Sequence, residues 1–166
     1  MRSLLLAIFL VSNLSAQSSV TDEIVAFWVE AERQVAEGDY NEYSASFHKE
    51  AILINGMNDS SIPIQTALND WKQGFEDTKK GTMNASVQFR FSDWVFGETT
   101  AHLTGIFLYA WGMHNEPNQQ VYIHFEALLT RSNGHWQMLM EYQKALATIE
   151  EWEMLVPFQE ALIEGR

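Results

Sequence analysis

The hydrophobic period of this chain changes once, near Thr82, and that change limits the fold more than any other feature. Before it, apolar residues recur every three to four positions. Ile24, Phe27, Trp28, Ala31 and Val35 line one side of a helix expected from about Thr21 to Glu37, with Gly38 as its stop. Asp39 with Glu42 reads as the capping-box start of a shorter helix carrying Tyr43 and Phe47. Ala51 to Ile54 is a short apolar strand. Ser61 and Pro63 open a third helix with Ile64, Leu68, Trp71 and Phe75 as its buried stripe, closed by Lys79, Lys80 and Gly81. After Thr82 the period is two. Val87, Phe89 and Phe91 alternate with Gln88, Arg90 and Ser92, and three more extended runs follow. Gly97-Glu98 and Asn133-Gly134 are expected two-residue hairpin turns. Thr148 to Gly165 is an acidic amphipathic helix that Pro157 should kink or restart. Helices, then strands, then a helix define an α+β chain.

The first sixteen residues have the order of a secretion leader. Met1-Arg2 is followed by the apolar run Leu4 to Val11 and the polar, small-residue end Asn13 to Ala16. That run is too short to span a bilayer. Residues 1–16 therefore read as a signal peptide, 17–146 as one domain and 147–166 as a helical extension, in a secreted or periplasmic protein. Acids outnumber bases 22 to 10, for a net charge of −12, and no basic patch occurs. Nucleic acid and anionic membrane surfaces are therefore poor partners. The absence of cysteine excludes disulfides, thiolate nucleophiles and cysteine-ligated zinc. No dinucleotide fingerprint, phosphate loop or nucleophile elbow is present, so no cofactor is implied.

Three segments carry a family resemblance: Ala36-Glu-Gly-Asp-Tyr40 leading to Ser46-Phe-His-Lys-Glu-Ala-Ile-Leu-Ile54, Val95-Phe-Gly-Glu-Thr-Thr-Ala101, and Gly134-His-Trp136. In this order they resemble the nuclear transport factor 2-like superfamily, which includes ketosteroid isomerases and SnoaL-like cyclases. The resemblance implies a cone: a curved antiparallel sheet wrapped against three N-terminal helices, enclosing a pocket, here with a C-terminal helix added. It also implies what this chain lacks. The isomerase general base falls on Asn55, whose amide is not basic, and the oxyanion-hole tyrosine falls near Ala31. The protonated acid of that hole falls near Glu126, which is retained in type. The histidines of another branch of the superfamily, the association domains of calmodulin-dependent kinases, fall on Met140 and Tyr142.

The two-residue turn at Asn133-Gly134 sets Glu126 opposite Glu141, with Tyr122, His124 and Glu126 on one strand face. Two arrangements are open. Periodicity alone makes that polar face the outer one. The resemblance instead turns it inward, because its acid at the Glu126 position points into the pocket. Turned inward, Glu126 and Glu141 are close like charges, one holds a proton, and His124 lies about 7 Å along the strand. Glu126, Glu141 and His124 are then the candidate proton-transfer set. Trp28, Asn55, Arg90, Tyr109 and Tyr122 are the candidate ligand contacts. No helical metal-binding spacing occurs, and the implied ligand is a small, partly apolar molecule. Phe89, Phe91, Ile106, Leu108, Ile123, Phe125, Met138 and Met140 would form the opposite, apolar face, which on this arrangement seeks a second copy of the chain. In the first hairpin, Asp93 is expected opposite His102 and Arg90 opposite Gly105.

Overall fold

The structure, a computed structural model, describes the backbone of residues 2–163 and the side chains of residues 20–161. The leader expected at residues 1–16 lies outside the described side chains. Helix α1 (Arg2–Glu37) includes the predicted first helix, while the second, α2 (Tyr40–Ala45), is shorter than expected: Phe47 opens the next strand, and Asp39 makes no side-chain cap bond. Strand β1 (Phe47–Asn55) is followed by a short strand that periodicity did not predict, β2 (Ser60–Pro63). Asn55 makes that hairpin, its Oδ1 accepting from the backbone N–H groups of Met57 and Asn58. Helix α3 (Ile64–Lys79) then precedes four long strands: β3 (Met83–Phe96), β4 (Thr100–Met113), β5 (Gln119–Ser132) and β6 (His135–Leu146). Pro157 does restart the C-terminal helix, giving α4 (Ile149–Glu153) and α5 (Phe158–Ile163). Thr148 caps α4 in a full capping box with Glu151.

The six strands form one curved sheet in the order β2-β1-β6-β5-β4-β3. All neighbours are antiparallel except β1 and β6, which run parallel. Helices α1 and α3 fill the concave side, where Trp28, Ile24, Ile64 and Leu68 are fully buried against Phe91, Phe125 and Leu129. Glu23 ties α1 to the last hairpin, accepting from Arg131 at 2.8 Å and from Trp136 Nε1 at 2.7 Å.

Three bulges in the antiparallel pairs of this sheet alter the expected registers. Gly97 pairs with Thr100, so the first turn is Glu98-Thr99, one residue later than expected. Asp93 therefore lies opposite Thr104, and His102 opposite Val95. Ser92 is then an extra residue, which sets Phe91 opposite Gly105 and Arg90 opposite Ile106. A Cβ on Gly105 would stand 2.2 Å from the Arg90 carbonyl, so only glycine fits where the bulge presses β3 on β4. On β6, Leu139 and Lys144 are the extra residues. Each bulge bends its strand and exchanges inner for outer positions beyond it.

Candidate functional site

The apolar sheet face points inward and the polar face of β5 points out, the ordinary half-buried arrangement. Of the eight residues expected on an outer apolar face, Phe89, Phe91, Ile123, Phe125 and Met138 belong to the concave core. Ile106, Leu108 and Met140 lie on the convex side, in register with Arg90, Tyr122 and Leu128 respectively.

The expected Glu126–Glu141 pair does not form. The Leu139 bulge shifts the second half of the hairpin by one residue, so Glu126 faces Tyr142 and Glu141 faces Ala127. The two carboxylates thus lie on opposite faces of the sheet. Glu126 is convex and ion-paired: Lys144 Nζ lies 2.7 Å from one oxygen and His102 Nε2 3.3 Å from the other. The hydrogen bond from Lys144, then that from His102, holds its carboxyl below the usual range. His124 is also convex, 3.3 Å from Glu151 of α4, beside a shallow hollow of about 400 Å³. Tyr122 packs on Trp152, ring centres 5.8 Å apart. Arg90 lies over the same indole at 4.3 Å, and its Nη1 donates to the Trp152 and Leu155 carbonyls at 2.9 and 2.8 Å. Arg90, Tyr122 and His124 thus hold the C-terminal segment on the convex face, away from the pocket. Asn55 is spent on its turn.

The larger cavity opens from the concave side and measures about 420 Å³. Its walls are built by periodicity of two kinds. Alternate strand residues Val87 and Phe89, Phe107 and Tyr109, Ile123 and Phe125 form one side. Helical spacing brings Trp28, Ala31 and Val35 from α1, and Asp70, Trp71, Gly74, Phe75 and Thr78 from α3, to the other. Trp28, fully buried, touches Phe89 and Phe91 at ring distances of 4.6 and 5.1 Å, and its Nε1 has no hydrogen-bond partner.

Polar groups gather at one end of this cavity. Glu141 is 8 % exposed and accepts from Gln143 Nε2 at 2.7 Å. Burial pushes its carboxyl pKa up, and the Gln143 bond offsets this only in part. The Tyr43 phenol is pushed up first by burial and then by the nearby Glu141 and Tyr109, so the three groups share one neighbourhood. Burial also raises Tyr109, which stacks on Trp111 with ring centres 5.2 Å apart. No lysine or arginine lines the cavity among the described residues. A buried carboxyl with a raised pKa, two phenols and an amide in a mostly apolar cavity can hydrogen-bond to a ligand oxygen, and the carboxyl can exchange a proton. Of the sequence-predicted residues, the structure brings Glu141, Trp28 and Tyr109 together. Tyr43 and Gln143 were missed as ligand contacts. Tyr43 read as a helix-face aromatic, and Gln143 was assigned to the same strand face as Glu126.

No protein-family model matches this chain, and no curated protein matches it by sequence. Solved structures do match in shape. A candidate scytalone dehydratase from Novosphingobium aromaticivorans superposes with a TM-score of 0.61 at 11% identity, over 81% of this chain and 89% of that one. The beta subunit of benzoate 1,2-dioxygenase from Burkholderia mallei gives 0.59 at 10% identity, over 75% and 88%. A protein of unknown function from Shewanella oneidensis, described as similar to nuclear transport factor 2, gives 0.57 at 17% identity, over 74% and 96%. At these identities the likeness concerns shape, and the shape of this chain is the nuclear transport factor 2-like cone.

Proposed function

We propose that this chain is an exported domain that binds a small, partly apolar molecule in the concave cavity, with Glu141 donating a hydrogen bond to its polar end. The observation that carries the reading is a buried carboxyl beside Tyr43, Tyr109 and Gln143 in a cavity whose walls are mostly aromatic and aliphatic. A few hydrogen-bonding groups set into a mostly apolar cavity are the pattern by which small-molecule sites orient a ligand. The leader-like order of residues 1–16 supports export, and N-terminal sequencing of the exported protein should start at Gln17 or Ser19. Native mass spectrometry of protein purified from its own host should show a bound organic molecule. Glu141→Leu should release it, and a wild-type protein that carries nothing overturns the reading.

A second reading, favoured by the raised pKa of Glu141, is a pocket enzyme in which this carboxyl moves the proton. Glu126 and His124 have no part in it, since both face away from the cavity. Wild-type protein converting the recovered molecule, with Glu141→Gln binding it but leaving it unchanged, would establish turnover.

A homodimer through the sheet is part of the same proposal, on a different surface from the one periodicity suggested. Ile52, Met140 and Leu128 are in register across three strands on the convex side, and Ile52 is 40 % exposed. Such an apolar row suits a two-fold pairing of sheets.

A further inference from the structure

Glycine in the interior of a helix costs roughly 0.5–1 kcal/mol relative to alanine, so a structural cause is normally present. Gly74, in the middle of α3, has none. Its φ is not positive, so the backbone does not require glycine. A Cβ built there would meet nothing closer than the terminal methyl of Met83, at 3.4 Å, which is ordinary contact with the end of a flexible side chain. Yet Gly74 lines the cavity, and it does so on the open side. Around it Trp71, Thr78, Met83 and Trp111 are partly exposed and Asp70 is exposed, whereas Trp28, Phe125 and Glu141 at the far end are buried.

We infer that Gly74 sets the width of the entrance, and that the ligand it admits is an uncharged, flat, largely apolar molecule with one hydrogen-bonding end. This rests on the reading of the cone cavity as a binding site. Three features fix the ligand class. The open side of the cavity, between α3 and the ends of β3 and β4, is lined by the indoles of Trp71 and Trp111, aromatic surface that suits a planar ring system. Asp70 at the rim repels anions, and among the described residues no lysine or arginine lines the cavity to offset it. At the buried end a charge of either sign is poorly solvated, whereas a hydroxyl or carbonyl can pair with Glu141, Tyr43 or Tyr109.

The probe is 2-naphthol, which is neutral at pH 7, titrated by its own fluorescence against the full chain. Its isosteres 2-naphthoate and 2-naphthylmethylammonium carry one charge of each sign. Wild-type protein should bind 2-naphthol at least tenfold more tightly than either charged probe. Gly74→Leu should weaken 2-naphthol at least tenfold and Gly74→Ala by a few fold, and both should melt at or above the wild-type temperature, because each is a better helix former. Gln73→Leu places the same side chain on the exposed face of α3 and should leave binding unchanged. If Gly74→Leu fails to fold, the graded loss in Gly74→Ala decides the matter. Wild-type affinity in Gly74→Ala and Gly74→Leu overturns the entrance role while leaving the cavity a binding site. Equal or tighter binding of a charged probe overturns the ligand class. Failure of wild-type protein to bind any of the three overturns the reading of the cavity itself.

Discussion

Two glutamates one residue apart in register show how strongly a side chain's chemistry depends on the face it occupies. Glu141 is buried and its folded pKa is raised, so the folded chain keeps a proton that the unfolded chain releases. Its contribution to stability is therefore complete at low pH and is lost as pH rises from the unfolded value through the folded one. Glu126 has the opposite sign. Its pKa is lowered by Lys144 and His102, so its contribution is present above the unfolded value and lost as pH falls through the folded one. Glu141→Gln should thus raise the melting temperature at pH 7 and leave it unchanged near pH 4. Glu126→Gln should cost about 0.5–1 kcal/mol at pH 7, the range of a half-exposed ion pair, and nothing well below pH 4. Melting curves of the two variants from pH 3 to 8 should diverge from wild type in opposite directions. Parallel curves would mean that both carboxylates are solvated.

At the scale of elements, the helices and long strands were legible in the sequence because amphipathic period and turn chemistry agreed. The bulges were not legible, and they decided the site. Nothing around Leu139 distinguishes a regular strand from a bulged one, since Met138, Leu139 and Met140 are all apolar; one extra residue there was enough to carry Glu141 inward and leave Glu126 outside. The resemblance to the superfamily predicted the cone, and its acid position falls on Glu126, which the structure places on the convex face, outside the cavity. The C-terminal segment was legible as a helix that Pro157 kinks or restarts, but its destination was not. It crosses the convex face under Arg90 and carries Phe158 round to the core, where that ring meets Phe91 at 5.9 Å. Arg90→Ala removes two charge-assisted bonds to carbonyls and should cost about 2 kcal/mol. The loss should be local. Hydrogen exchange should accelerate over residues 148–161 and hold steady in β4 and β5, and a uniform acceleration would show that the segment is not a separate unit.

For the whole molecule, a sheet whose apolar face is already filled by helices has only its convex side left for a partner. Light scattering at micromolar concentration should give twice the chain mass, and Met140→Arg should return it to the monomer with little change in melting temperature. A monomeric wild type would remove the dimer from the proposal. The one parallel pairing in the sheet bears on a different matter, the order in which this protein can come into being. Strand β1 is among the first parts of the domain to be synthesised, and β6, its neighbour, among the last. Glu141 lies in β6 and Leu53, its register partner, in β1. Until the ribosome has released the final hairpin, β1 and β2 have no sheet to join and the cavity has no floor. Long-range pairing of this kind is slow to form. Under the export proposed above, such slowness would be an advantage, because the nascent polypeptide stays threadable until almost its last residue has been made.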